Sequence, residues 1–285
     1  MDQPAAATNA DQIEFWNGPA GQGWAELNDR LDAMLRPLGL AAMDRDPPKA
    51  GEYVLDIGCG CGDTTGELAA RVAPDGCVTG IDISSVMLAR ARERAGGDER
   101  QRFLNHDAAT HTFETPFERA FSRFGVMFFD DPPAAFANVA RALKPGAPLS
   151  FVCWREIKAN AWVSVPTAIF RRHIEPPQEA PPSDAPGPFA FAEKARIEAI
   201  LDAAGFKDVA IAAHDETIQI GGPGDAANAA EFFMRQGPSS RLLIDADDTT
   251  KATIHTELTR ELAQFEARGG VFLGAACWLV SARAP

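Results

Sequence analysis

The sequence predicts an α/β protein, a doubly wound Rossmann-like sheet of seven strands whose last strand is antiparallel. Three observations carry that expectation. From Gly51 onward, short apolar runs alternate with amphipathic stretches, the pattern of strands joined by crossover helices. A glycine loop, GCGCG at 58–62, follows the first run and leads into a helix. Acidic residues close three successive runs, at Asp56, Asp82 and Asp107.

The elements follow in order. Residues 1–40 read as a helical lid in two pieces, interrupted by NGPAGQG at 17–23. The second piece carries Leu27, Leu31, Met34, Leu35 and Leu38 on one stripe and is closed by Gly39. YVLDI (53–57) is the first strand, with its tyrosine in the core, and Leu68 and Val72 share a face of the next helix. CVTGIDI (77–83) is the second, followed by a helix bearing Val86 and Met87. RFLNHD (102–107) and ERAFSRF (118–124) are the third and fourth. Asp131 caps a helix whose first positions are Pro132 and Pro133, a favoured place for proline. PLSFVCW (148–154) is apolar on both faces, as a strand in the middle of a covered sheet should be.

The rhythm then breaks. EPPQEAPPSDAPGPF (175–189) is an irregular, proline-rich excursion. A helix ending at Gly205 follows, then a strand at 206–220 with a bend near His214, helices near 225–235 and 247–267, and a closing strand at 272–282. Residues 41–285 thus form the main domain, with cap insertions near 156–190 and 222–268.

Composition narrows the partners. A net charge of −13 over 285 residues disfavours nucleic acid and anionic membrane, whose affinity comes from Lys and Arg. No apolar run approaches the roughly 20 residues that span a bilayer, and MDQPAAATNADQIEFW lacks the basic start and apolar stretch of a secretion signal. Five cysteines at irregular spacing read as reduced thiols in a cytoplasm. A small-molecule ligand is the default, and self-association is left open.

The loop itself is chemically specific. A phosphate-binding loop would place Lys and Ser or Thr directly after its last glycine, and here Asp63 follows Gly62. A dinucleotide fingerprint would be G-x-G-x-x-G, whereas this loop is G-x-G-x-G with an aspartate two places ahead. Three carboxylates at neighbouring strand ends would line one crevice and repel phosphate. They suit a cationic nucleoside without phosphates, and S-adenosyl-L-methionine fits: Asp56 for its ammonium, Asp82 for its ribose diol, Asp107 for its adenine amine.

LDIGCGCGDTTGELA, GIDIS, NHDAA and RALKPG together resemble the class I S-adenosylmethionine-dependent methyltransferases. More narrowly, the chain is similar to the bacterial small-molecule group near the ubiquinone and menaquinone C-methyltransferases. The resemblance implies cofactor contacts from Asp56, Gly58, Cys59 and Gly60. It also implies that Asp82 and Ile83 hold the ribose, that Met87, Asp107 and Ala108 meet the adenine, and that Ser122, Arg123 and Phe124 lie near the methyl group. It implies transfer of a methyl group to a small, mostly apolar acceptor, at carbon, oxygen or nitrogen.

Trp16 and Trp24 flank the N-terminal glycine-rich break and are read as lid aromatics over the cofactor. Phe128, Trp154, Trp162, Phe170, Phe232 and Phe233 are the candidates for an acceptor pocket. His173 is the histidine best placed as a general base, while His106 either faces the cleft or simply ends a strand. Cys59 and Cys61 have no partners for a metal set, and Asp130, Asp131 and Asn138 read as a helix cap and its surroundings, so no metal is expected. Two rivals remain: an NAD-dependent oxidoreductase, and a protein that binds S-adenosylmethionine or S-adenosylhomocysteine without catalysis.

Overall fold

The computed structural model describes residues 9–175, 182, 184–237 and 240–285. The strands are β1 (Tyr53–Ile57), β2 (Cys77–Asp82), β3 (Gln101–Asn105), β4 (Arg119–Arg123), β5 (Pro148–Trp154), β6 (Lys207–Ile220), β7 (Glu266–Ala267) and β8 (Gly270–Arg283). They lie in the order β3-β2-β1-β4-β5-β8-β6, and the two-residue β7 pairs with β8 alone. The pairs from β3 through β5 are parallel; β8 runs antiparallel to both β5 and β6. The seven expected strands are present, and β7 occupies the end of a stretch read from sequence as helix.

Apolar positions at strand and helix periods build one core. All seven residues of β5 are buried. The helices α3 (Asn28–Arg45), α6 (Pro132–Ala142) and α8 (Lys194–Ala203) cover the sheet around it. Phe136 of α6 meets Phe129, Phe151, Phe191 and Phe206 with ring centroids 5.7–6.3 Å apart. Helices α4 (Asp63–Val72) and α5 (Ser85–Ala95) follow β1 and β2, α7 (Ala161–His173) and α9 (Ala226–Arg235) pack beside β8, and α10 (Asp248–Leu262) packs on α7 and α9.

Several local expectations are corrected. GPAGQG is not a break: Pro19 opens a second helix, α2 (Pro19–Glu26), directly after α1 (Ala10–Asn17), and the chain turns at Gly18 alone. The absent side chain of Gly21 makes this possible, since a Cβ there would lie on the Trp16 carbonyl. Nor does Gly39 end a helix. It is buried inside α3, where a Cβ would meet the Arg123 side chain at 2.8 Å. The irregularity in β6 falls at Asp208, with φ +51, while the register runs unbroken past His214. Tyr53 is 45% exposed, at the open end of β1. Most of the proline-rich excursion, 176–181 and 183, lies outside the described residues.

At the opposite end of the sheet from the glycine loop, Arg119 is only 2% exposed. It donates to Glu52 at 2.8 Å and to the Asp46 carbonyl at 2.7 Å, tying the start of β4 to the segment that enters β1. Removing it would leave a carboxylate and buried carbonyls without their donor. Arg119→Met should lose about 3–5 kcal/mol of unfolding free energy in urea titration; a loss below about 1 kcal/mol would show that water replaces the guanidinium at no great cost.

Candidate active site

A cavity of about 730 Å³ opens above the carboxyl ends of β1, β2 and β4. Gly58 and Gly125 bring the β1 and β4 loops together: a Cβ on Gly58 would sit 2.7 Å from the Gly125 Cα, and Gly58 itself has φ +66. Only glycine fits such a crossing. Ser122 holds it in place, donating from Oγ to the Ile57 carbonyl at 2.8 Å and accepting from the Gly125 amide at 3.2 Å.

Four of the five amides of the loop are spent within the protein. Those of Gly58 and Cys59 donate to the Ile81 carbonyl, that of Gly62 to the Cys59 carbonyl, and that of Gly60 to Asp82 Oδ2 at 2.8 Å. Asp82 Oδ1 accepts from the Ser84 amide at 2.8 Å. Burial raises the Asp82 pKa, and these amides pull it back down. Its carboxylate therefore braces the loop and still forms part of the cavity wall. Asp107 also lines the cavity, its Oδ1 receiving the Ala109 amide at 2.8 Å. Asn138 fixes that turn by donating to the carbonyls of Ala108 and His111, and Asp131 caps α6 through the Ala134 amide.

Of the residues singled out from sequence, Trp16, Trp24, Gly58, Cys59, Gly60, Asp82, Ile83, Met87, Asp107, Ala108, Arg123, Phe124, Phe128, Trp154 and Trp162 all line this cavity. Four others do not. Asp56 is fully buried behind the loop, where Oδ2 accepts from the Thr64 and Thr65 hydroxyls at 2.7 Å. Ser122 is buried below the glycine crossing. Phe233 faces the core, and its neighbour Phe232 reaches the cavity instead, because a helix presents adjacent residues to different sides. His173 sits at the end of α7 with Nε2 3.3 Å from Glu257 and does not line the cavity.

His106, which the sequence leaves between cleft and strand end, lines the wall and stacks on His111 with centroids 4.5 Å apart. Other lining residues escape the sequence reading. Phe15 opens the aromatic run ahead of NGPAGQG and Arg241 carries no motif; only the fold brings them together, with the guanidinium 4.2 Å above the ring. The aromatic end is tightly built: Phe124 stacks on Trp154 at 4.2 Å, Trp154 meets Trp162 at 4.7 Å, and Trp16 contacts both Phe128 and Trp24. Phe124 is held at φ +62, an uncommon state for a bulky residue and one that clusters at ligand sites. The buried Asn160 accepts from Trp162 Nε1 at 3.1 Å and so fixes that ring. Over the cavity, α1 and α2 latch onto the start of α5: Ser84 Oγ donates to the Trp16 carbonyl at 2.6 Å, and Asn17 bonds the Ile83 carbonyl and the Ser85 amide.

Residues 54–146 match a family described as a methyltransferase domain. The chain is 35% identical over 127 residues to the aklanonic acid methyltransferase DauC of a Streptomyces strain, covering 43% of this chain and 58% of that one. It is 33% identical over 142 residues to the O-methyltransferase cnsE of Penicillium expansum, covering 48% of each. It is also 36% identical over 99 residues to a demethylmenaquinone methyltransferase of Staphylococcus aureus, covering 34% of this chain and 41% of that one. The matches span about half the length of these curated relatives. The fold is shared with a phosphoethanolamine N-methyltransferase of Haemonchus contortus solved with S-adenosyl-L-methionine, at TM-score 0.58, 19% identity, and coverage of 100% of this chain and 61% of that one. It is shared too with the [4+2]-cyclase SpnF, at TM-score 0.50, 20% identity, and coverage of 87% and 80%.

Asp56 makes the site's electrostatics testable. Burial pushes its pKa from 3.8 up to about 6, against the pull of Thr64, Thr65 and Arg123. The folded chain holds this proton more tightly than the unfolded one. The associated stability is present below about pH 4 and is lost as pH rises through about 6, roughly 3 kcal/mol in all. Asp56→Asn cannot titrate, so the ligand-free variant should gain that amount on the parent between about pH 4 and about pH 7.5 in urea unfolding. Parallel profiles for the two proteins would mean that the buried carboxylate does not ionise in this range.

Proposed function

We propose that this chain, with a methyltransferase domain across residues 54–146, transfers a methyl group from S-adenosyl-L-methionine to a small, mostly apolar organic acceptor. One observation carries the reading. The glycine loop offers its Gly60 amide to Asp82 rather than to the cavity, and carboxylates of Asp82 and Asp107 form the wall where a phosphate would otherwise rest. That wall suits a nucleoside rich in donors and bearing positive charge, and it weakens the case for a dinucleotide, whose pyrophosphate needs free loop amides.

The residues then take these roles. Asp82 receives the ribose diol, with Ile83 and Met87 beside the nucleoside, and Asp107 with Ala108 receives the adenine edge. Gly58, Cys59 and Gly60 border the methionine part, and Arg123 and Phe124 stand toward the reacting end. Asp56 and Ser122 act through the loop they hold. The cofactor, when bound, supplies a methyl group already activated by a positively charged sulfur. The protein's task is therefore alignment and exclusion of water. Trp16, Trp24 and Phe128 close the aromatic end over the acceptor, and Trp154 and Trp162 form its back wall. Residues 1–40 serve as the lid, latched through Asn17 and Ser84, and the inserts near 156–190 and 222–268 serve as the cap.

The relatives support a small-molecule acceptor, since they include O-methyltransferases and a demethylmenaquinone methyltransferase. Calorimetric titration with S-adenosylhomocysteine should show binding, with no measurable NAD binding, and Asp82→Ala should weaken it by about tenfold to a hundredfold through lost charge-assisted hydrogen bonds. Preference for NAD, or affinity indifferent to Asp82, would remove the basis of the proposal. Labelled methyl transfer to a panel of aromatic acceptors then separates enzyme from binder and identifies the atom methylated.

A further inference from the structure

The chain has five tryptophans, and their indole N–H groups are not placed alike. Trp162, 6% exposed, donates to Asn160 Oδ1 at 3.1 Å, and Trp278 donates to the Ala192 carbonyl at 2.8 Å. Trp16 and Trp24 are half-buried, where water can serve them. Trp154 is only 4% exposed, yet its Nε1 donates to no group among the described residues. A buried indole N–H ordinarily finds a partner, because an unsatisfied buried donor is costly.

The neighbours of Trp154 show where this donor lies. Phe124 stacks on its ring with centroids 4.2 Å apart and planes 14° apart, and Trp162 leans on it at 4.7 Å with planes 46° apart. With its faces covered by these rings, Trp154 presents its edge to the cavity it lines. Among the described residues, the side-chain nitrogens and oxygens sealed from solvent without a partner are Asp56 Oδ1, Arg155 Nε, Arg196 Nε and His214 Nε2. Trp154 Nε1 is not one of them, so it keeps access to open space, and the open space beside Trp154 is the cavity. Phe124 ties this edge to the glycine loop, since it precedes Gly125, which crosses Gly58.

We infer that the acceptor is a flat aromatic compound with an oxygen, hydroxyl or carbonyl, directly on its ring, and that this oxygen accepts a hydrogen bond from Trp154 Nε1. The inference rests on the proposed methyl-transfer reading of the same site. Indole is a donor only, so it takes an oxygen lone pair and offers nothing to an ammonium or an arylamine N–H. A ring-bound oxygen has lone pairs in the plane of its ring, so a flat compound beside the Phe124–Trp154 stack can bring one to the indole edge. In an apolar pocket with one placed donor, the analogue without oxygen leaves that donor unpaired, and the site discriminates against it.

The probes are 2-naphthol for the hydroxyl, chromone for the carbonyl and 2-methylnaphthalene for the ring without oxygen, each titrated calorimetrically with saturating S-adenosylhomocysteine. Trp154→Phe keeps an aromatic ring and removes the N–H. It should weaken the oxygenated probes by about fivefold to tenfold and 2-methylnaphthalene by less than about twofold. A response by one oxygenated probe alone identifies the hydroxyl or the carbonyl as the oxygen recognised. In heteronuclear NMR of the indole N–H groups, the Trp154 signal, identified by its loss in the variant, should move downfield with an oxygenated probe and not with 2-methylnaphthalene. Should Trp154→Phe not fold, Phe variants of the other four tryptophans assign the signal by elimination. If Trp154→Phe changes the three affinities alike, or not at all, the ring only packs and the inference falls. It falls equally if wild type binds none of the probes, or if the Trp154 signal moves alike with all three or with none. Failure of S-adenosylhomocysteine to bind wild type would sink the methyl-transfer reading and this inference with it; normal binding without discrimination by Trp154 would sink the inference alone.

Discussion

The site depends on one carboxylate that accepts two amides. Asp82, at the end of β2, takes the Gly60 amide on one oxygen and the Ser84 amide on the other. The first bond fixes the glycine loop after β1, and the second fixes the start of α5. An acid in this position turns a loop that could cradle phosphate into one that repels it, because the donors face inward and the negative charge faces the ligand. Ser84, placed by that contact, then receives the N-terminal helices through the Trp16 carbonyl. The glycine loop and the docking of those helices thus share a single anchor.

The other half of the site is built by close approach. Gly58 and Gly125 touch backbone to backbone, and Ser122 bridges the two loops from below. This crossing sends the chain after β4 into the turn that holds Phe124 at positive φ, stacked on Trp154. An aromatic ring is thereby set between the glycine loop and the aromatic end of the cavity. The polar wall with its carboxylates and the apolar wall meet there.

The sheet and the nucleoside wall were legible in the sequence because their signals are local. A strand with period-two burial, a loop of alternating glycines and an acid at a strand end are each written in a few adjacent residues. Asp82, Asp107 and Met87 needed only the topology to meet. Asp56 was misplaced for a physical reason: the sequence marks it as a strand-end acid but says nothing of the Thr64 and Thr65 hydroxyls that turn it inward. Gly39 was read as a helix stop because the residue that requires it, Arg123, lies far away in sequence. His173 was assigned by its neighbourhood in the chain, and its partner Glu257 on α10 could not be foreseen.

The acceptor end resists both sequence reading and comparison for one reason. The family match ends at residue 146 and begins at 54, yet Phe15, Trp16 and Trp24 precede it, and Trp154, Trp162, Phe232 and Arg241 follow it. Within the match lie the contacts that any ligand of the nucleoside wall would need, together with Phe124 and Phe128. Outside it lie the residues that would distinguish one acceptor from another. They sit on helices and inserts added at the ends and edge of the sheet, where length and composition can change without disturbing β1, β2 or the glycine crossing. An acceptor therefore cannot be carried over from a relative matched through the sheet. It has to be read from the charges and rings that this chain's own additions place around the cavity.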